Sequence, residues 1–598
     1  MRVFLSHASP DKARVVELDA ALRARGIDTW FDKWEIHSGD DFVAKINEGL
    51  DACDAGIVVL SHHTAKSGWV TAEVSALIHA SIEDGKLLLP ISLDDDAPVP
   101  GLLRPRLRRG IDEHDAIVEA LLGRHASPPP TRRAGEGRVE KVIVRLGKET
   151  VRLGREEEAI HVAVHAGDAL LGEARFEEIP ADVLTGYERF REGFRIGSRD
   201  PLAADRSRRE AQINELGHAL RPFCLPGDAS EAVTELVDGA PVGTTVEIAF
   251  ESDRPELLDL PFDALRLEDG RLLSIAPNVV TMCRDRAGSM PPIEKLAGPL
   301  KILVAVGAPD EDKSSTVVLD QERELQNILD AVEGARRREN VEVRILEVGS
   351  PGQIGAAFER DAYHVLHLSC HGRPGMLELE NEDGEPERVT ATELLAPIKK
   401  TGRLVPLVFL NCCHGAVNDG DTASLASELL RAGVPSVLAM QTAVSDHYAS
   451  QLARAFYQHL AARDTPRPTR ALAAARRELE LARRQAIAQG QANPVATQPE
   501  AATATLFLTG DDAVLMNPSL DGVPLQSPPV YEVSGPVPQL RIDDLIGRRK
   551  ELRETLGIFR DPSRQVAGVA LTGIGGVGKS AVAGRVMQRL KEDAWIVT

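Results

Sequence analysis

Two long stretches of this sequence alternate short apolar runs with amphipathic helical runs, and that alternation restricts the fold more than any other feature. In 1–124 the strand-like runs are RVFLS, IDTWF, GIVVLS and KLLLPIS. Between them lie the helix-like runs KARVVELDAALRARG, DDFVAKINEGLDAC and WVTAEVSALIHASI. This order predicts a doubly wound parallel sheet. The alternation returns with LKILVAVGA, a helix at 319–337, VEVRILEVG, HVLHLSCHG, LVFLNCCHGA, a helix near 422–432 and PSVLAMQ. The long charged helix ALAAARRELELARRQAIAQ follows. Near the end, 541–598 reads as a helix, the strand VAGVALTG, a Gly-rich loop, the helix SAVAGRVMQRL and the first residues of another strand, WIVT.

Three stretches punctuate this pattern. HASPPPTRRAGEGR at 125–138 reads as a linker, and AIAQGQANPVATQPEAATA at 486–504 is polar and rich in Ala and Gln. The prolines of NPSLDGVPLQSPPVYEVSGPVPQL, 517–540, oppose regular structure and favour an extended tether. The expected organisation is therefore a domain over 1–124, a linker over 125–138, a domain over 139–516, a tether over 517–540 and a final module over 541–598. A β/α unit of so few residues cannot build a core alone, so the chain is expected to stop inside its last domain.

Charge narrows the partners. Lys and Arg total 70 against 91 Asp and Glu, a net charge of -21. Such a chain is a poor general ligand for phosphate backbones or anionic membranes, so no direct nucleic-acid or membrane binding is expected. The six cysteines, Cys53, Cys224, Cys283, Cys370, Cys412 and Cys413, are too sparse and irregular for a disulfide framework. A cytoplasmic, reducing environment is the expectation.

Two of the apolar runs end in reactive residues. HVLHLS leads into Cys370-His371-Gly372, and LVFLN into Cys412-Cys413-His414-Gly415. In a parallel sheet the carboxyl ends of the strands line one edge, where ligands bind. If the two strands are neighbours, His371 meets one of the two cysteines there. A nearby imidazole lowers a thiol pKa and makes the thiolate available. Zinc ligation by Cys370, His371, Cys412, Cys413 and His414 is the competing reading, but zinc ligands are usually spaced by two or more residues, so no zinc is expected.

HLSCHG and LVFLNCCHGA resemble the strand-end His-Gly and cysteine elements of the CHAT family, caspase-like peptidases related to caspases and separase. Further likeness lies in ESDRPELLDLPFDALRLEDGRLLSIAPNVV upstream and DTASLASELLRAGVPSVLAMQTAVSDHYASQLARAFYQHL downstream. The resemblance implies a caspase-like α/β domain with His371 and Cys413 as the catalytic pair. Cys412 takes the preceding position, usually a small residue. Gly372 and Gly415 would mark the oxyanion-binding backbone, and Asp446 would be an acid near the specificity pocket or a structural one. The partner implied is a protein substrate.

The first domain resembles bacterial TIR domains through VFLSHASPDK, GIDTWFDKWEIHSGDDF and IVVLSHHTAKSGWVTAEVSALI. That family has a flavodoxin-like parallel sheet and self-associates. Ser67, Trp69 and Glu73 resemble its Ser-x-x-Trp-x-x-x-Glu element, with one residue instead of two between the Ser and the Trp. The resemblance implies NAD+ as substrate, with Glu73 holding the nicotinamide ribose while nicotinamide leaves, and Ser6, His7, Trp34 and Trp69 as cleft walls. His161 and His165 in HVAVHA share one face of a strand and read as structural.

At 573–580, Gly573, Gly575, Gly576, Val577, Gly578, Lys579 and Ser580 satisfy G-x-x-x-x-G-K-[ST]. Backbone N–H groups of such a loop cradle phosphates, Lys579 would reach the β/γ oxygens of ATP or ADP, and Ser580 would hold Mg²⁺. Asp544-Leu545-Ile546-Gly547-Arg548 with Glu551-Leu552 resembles the entry to NB-ARC/STAND NTPases, so an incomplete P-loop NTPase that oligomerises is implied. Together these resemblances imply the effector part of a prokaryotic STAND-type immune or signalling protein. The alternative is a non-enzymatic adaptor in which both effector folds serve assembly.

Overall fold

The computed structural model describes 2–6, 9–25, 27–30, 53, 55–61, 87–93, 109–112, 114 and 117–118 of a first unit, Met1–Glu136. In the second, Gly137–Thr598, it describes 138–152, 156–195, 203–241, 243–286, 296–307, 309, 321–336, 340–346, 348–373, 375–381, 384–412, 424–462, 465–488, 490, 497–510, 515–517, 520–526, 548–560, 568–573 and 578–592.

In the first unit the apolar runs become β1 (Arg2–Ser6), β2 (Asp28–Trp30), β3 (Ala55–Leu60) and β4 (Leu87–Ser92), joined by a short β5 (Arg109–Gly110) that the sequence pattern does not signal. They form a parallel sheet of order β2-β1-β3-β4-β5. The Lys12–Ala24 helix places Val15, Leu18 and Leu22 in the core shared with Val3, Leu5, Ile57 and Val59. Phe4 and Trp30 stack face to face, centroids 4.7 Å apart. The helical runs DDFVAKINEGLDAC and WVTAEVSALIHASI lie almost wholly outside the described residues.

In the second unit three long strands come first: β6 (Val139–Arg152), β7 (Glu156–Ala166) and β8 (Ala169–Phe176). Then come β9 (Thr245–Ser252), β10 (Val279–Asp285), β11 (Leu300–Val306), β12 (Val341–Ile345) and β13 (Val365–Ser369). A small antiparallel sheet follows: β14 (His371–Arg373), β15 (Met376–Glu380) and β16 (Pro386–Val389). The last strands are β17 (Leu407–Asn411), β18 (Ser436–Met440) and β19 (Ala504–Leu508). All but the small sheet join one eleven-stranded sheet of order β12-β11-β13-β17-β18-β19-β10-β9-β6-β7-β8.

Within it β12, β11, β13, β17 and β18 are mutually parallel, so their carboxyl ends share one edge. These strands are continuous apolar runs because both faces are covered. Leu303, Ala305, Leu366, Leu368, Val408 and Leu410 point into one core. Ile302, Val304, Val306, Val365, Leu407 and Phe409 point into the other, under the Gln321–Arg336, Asp446–Ala461 and Pro468–Ala488 helices.

Three sequence expectations need correction. The polar stretch 486–504 does not separate anything. Glu500 is buried because its carboxylate accepts from Ser445 N (2.6 Å) and Oγ (2.7 Å), capping the Asp446–Ala461 helix, and Ala504 begins a central strand. The described part of the tether expected over 517–540, residues 517 and 520–526, is held in place. Asn517 N–H donates to Leu296 O, Val523 N–H to Gly298 O and Gln526 N–H to Asp361 Oδ1, while Arg344 donates to Gln526 O. Non-repeating backbone is held here by fixed acceptors, which a proline-rich composition does not reveal. Finally, no strand forms over 568–573, the described part of VAGVALTG. A strand needs a partner, and no described segment pairs with this one. The helix after it is present, at Lys579–Glu592.

Candidate active sites

β13 and β17 are neighbours in parallel register, with Ser369 opposite Asn411. Two residues beyond each lie His371 and Cys413. Cys370 and Cys412 come between, and both are core atoms. They continue the inward alternation of Leu366, Leu368 and of Val408, Leu410, and are 2% and 4% exposed. Cys413 and Gly415 fall outside the described residues. Of the other cysteines, burial pushes the thiols of Cys224 and Cys283 well up, which suppresses thiolate.

His371 is half-buried and opens β14, directly across from Glu378 on β15, with Gly372 across from Leu377. Leu377 and Leu379 enter the core, so Glu378 and Glu380 lie on the opposite face, the face of His371. Two glycines let this hairpin lie on the strand ends. A Cβ on Gly307 would stand 3.0 Å from Cys370 Cβ, Glu378 O and Leu379 Cα. A Cβ on Gly349 would stand 2.3 Å from Val306 O. Glu380 is fully buried; its Oε1 accepts from Gly349 N–H at 3.0 Å and its Oε2 from Arg553 Nη2 at 2.5 Å.

The segment carrying Cys413 ends at Ser424, the N-cap of the Leu425–Arg431 helix. Asp259, fully buried, accepts there from Ser424 N–H (3.0 Å), Ser424 Oγ (2.7 Å) and Ser427 Oγ (2.7 Å). The Tyr187 hydroxyl donates to Gln441 Oε1 beyond β18, at 3.3 Å, and burial raises its pKa far above the ordinary tyrosine value. Asp446 begins its helix behind the N-cap Ser445. Sequence reasoning passed over Asp259 and Glu380. The signal for Asp259 was an acid inside the apolar run LLDLPF, which is costly to bury unless hydrogen-bonded.

Elsewhere the predicted residues are less complete. Ser6 is the last residue of β1, and Asp11 in the next turn accepts from Ser61 Oγ just past β3, at 2.5 Å. His7, Trp34, Trp69 and Glu73 lie outside the described residues. His161 and His165 lie on β7, where His161 Nε2 is 3.2 Å from Glu173 Oε2. Among the described residues no group of three or more His, Cys, Asp or Glu is arranged to hold a metal.

At the end of the chain Lys579 and Ser580 open the Lys579–Glu592 helix, and Lys579 Nζ donates to Gly573 O across the loop at 3.0 Å. Gly578 has φ +89°, a left-handed conformation that side chains resist. Gly575, Gly576 and Val577 lie outside the described residues.

Two family models match the chain. Residues 3–122 match the family model of the TIR domain, and residues 220–507 that of the CHAT domain. The 2' cyclic ADP-D-ribose synthase BtTIR of Bacteroides thetaiotaomicron is 37% identical over 89 residues, 15% of this chain and 31% of that protein. The NAD(+) hydrolase PdTIR of Paracoccus denitrificans is 39% identical over 90 residues, 15% of this chain and 30% of its own length. The chain thus spans about a third of these relatives. Among solved structures, the TIR domain of the Toll-related receptor TRR-2 from Hydra magnipapillata aligns at 20% identity and TM-score 0.18, over 21% of this chain and 95% of that one.

Proposed function

For a chain that carries a TIR domain followed by a CHAT domain, we propose two hydrolytic effectors, an NAD+-cleaving one and a cysteine peptidase, under the control of a nucleotide-binding C-terminal module. The observation that carries the peptidase is the register of β13 and β17, which brings the residues after Ser369 and Asn411 to one sheet edge. His371 takes the Cys413 thiol proton, the thiolate attacks the peptide carbonyl, and the imidazolium returns the proton to the leaving amine. Backbone N–H groups near Gly372 and Gly415 receive the oxyanion. Core packing of Cys412 supports Cys413 as the nucleophile.

Glu73 of the TIR domain holds the nicotinamide ribose and stabilises its cationic character as the glycosidic bond to nicotinamide breaks. The named activities of BtTIR and PdTIR support this assignment. The described residues fit a nucleotide phosphate: a helix start, which favours an anion, carries Lys579, whose ammonium reaches Gly573 O, and an exposed Ser580. Lys579 and the loop amides would hold the phosphates and Ser580 the Mg²⁺, supplying affinity and a switch. Self-association through the TIR and nucleotide modules completes a STAND-type reading.

Purified protein incubated with NAD+ releases nicotinamide on this reading, and Glu73→Ala abolishes the release. Cys413→Ala stops cleavage of a protein substrate while Cys412→Ala preserves it. Undiminished release by Glu73→Ala, or the reverse order of the two cysteine variants, overturns the corresponding assignment. Activity in neither assay leaves the adaptor reading.

A further inference from the structure

The hairpin that carries His371 is an interaction surface for the C-terminal module. His371, Glu378 and Glu380 lie on one face of it, away from the core that takes Leu377 and Leu379. Onto that face comes Arg553, from the Arg549–Arg560 helix. Its side chain is only 15% exposed, and its guanidinium pairs with a Glu380 carboxylate that is fully buried. A buried carboxylate that loses its cation is left at high cost, so the helix and the hairpin cannot separate without disturbing Glu380. Glu380 in turn accepts from Gly349 N–H, whose backbone lies against Val306 at the end of β11. The hairpin position, the strand end and the helix are tied through one carboxylate.

The same helix packs on the helix that follows the glycine motif. Leu552 and Leu556 pack with Val582, Val586 and Leu590 of the Lys579–Glu592 helix, and Phe559 and Leu571 join this small cluster. Lys579 and Ser580 are the first residues of that second helix. A change at the loop therefore reaches the Arg549–Arg560 helix through shared packing. Arg553, one residue and about 100° around the helix from Leu552, carries it to Glu380.

We propose that the Arg553–Glu380 ion pair is a latch coupling the state of the glycine loop to the placement of His371. This rests on the peptidase reading for its consequence, though not for its test. The regulatory ligand is a nucleoside di- or triphosphate with Mg²⁺. The acting surface is the C-terminal helix of the same chain.

The test is hydrogen exchange of the full chain, read in peptides covering 371–380 and, as a control, 436–440 on β18. Wild type, Arg553→Ala and Arg553→Lys are compared without nucleotide and with Mg-ADP or Mg-ATP, with nucleotide binding measured separately. Removing the latch raises exchange over 371–380 at least about tenfold and leaves 436–440 unchanged. Arg553→Lys, which keeps the charge, recovers part of the protection. Where nucleotide binds wild type, it alters exchange over 371–380, and Arg553→Ala loses that response. Unaltered exchange over 371–380 in Arg553→Ala overturns the latch. So does a nucleotide response that survives in that variant. Equal loss of protection over 436–440 means general unfolding and overturns it too. Loss of Cys413-dependent cleavage is scored apart, so a failed peptidase reading leaves the exchange result decisive. Failure of nucleotide to bind removes the P-loop assignment, and the nucleotide-free comparison still decides the latch.

Discussion

At the scale of single residues, buried polar groups define the second unit as much as its apolar ones do. His364 is 1% exposed and its Nδ1 accepts from Lys301 N–H at 2.9 Å. Burial, aided by the Lys301 charge, lowers its pKa to about 4. The sign follows from linkage: above the unfolded value of 6.5 both states are neutral, and below it the unfolded chain gains a proton that the folded chain refuses. Stability therefore falls as pH drops from 6.5 toward 4. At pH 5 this residue alone costs roughly 2 kcal/mol relative to pH 7.5. His364→Asn, whose amide oxygen can replace Nδ1 as acceptor, reduces that difference in urea-unfolding midpoints. None of this was legible in HVLHLS, where His364 precedes a strand and nothing marks its partner. The structure makes neighbours of the two strands that precede His371 and Cys413, and their ends were legible as apolar runs. Asp259 and Glu380 were not, since their donors come from segments 165 and 173 residues away.

At the scale of elements, apolar runs were read correctly wherever two layers bury them, as in LKILVAV and LVFLN. The run HLSCHG hid a break. Ser369 ends one sheet, Cys370 sits in the core, and His371 begins a separate antiparallel hairpin. Hydrophobic pattern cannot reveal such a break, because the tight seat that makes it is supplied by Gly307 and Gly349 from elsewhere. Gly349→Ala puts a methyl 2.3 Å from Val306 O, so backbone must move. The expected outcome is a loss of about 1–3 kcal/mol in stability, as overpacking usually gives, with a drop in Cys413-dependent cleavage. Denaturant melts and substrate cleavage check the two effects. The tether is the converse case: prolines promise an extended tether, yet Asp361, Glu342 and Arg344 capture the backbone of 525–526.

At the scale of the whole molecule, the chain divides into two compact units, Met1–Glu136 and Gly137–Thr598, and the two proposed chemistries need different leaving groups, nicotinamide and an amine. Glu73→Ala is expected to leave Cys413-dependent cleavage unchanged, measured on one preparation with both assays. The topology of the second unit was beyond sequence reasoning. Nine of its eleven strands form two parallel blocks of opposite sense that meet at the antiparallel β18–β19 pair, β7 and β8 being added antiparallel at one edge, and such long-range pairing has no local signature. No helix among the described residues is long and apolar enough to cross a membrane. The burial of Cys53, Cys224, Cys283, Cys370 and Cys412 has a practical consequence. With five thiols sheltered, a limiting alkylating reagent tests the proposed nucleophile directly. On that proposal one mass increment maps to Cys413, and further increments count molecules whose core has opened.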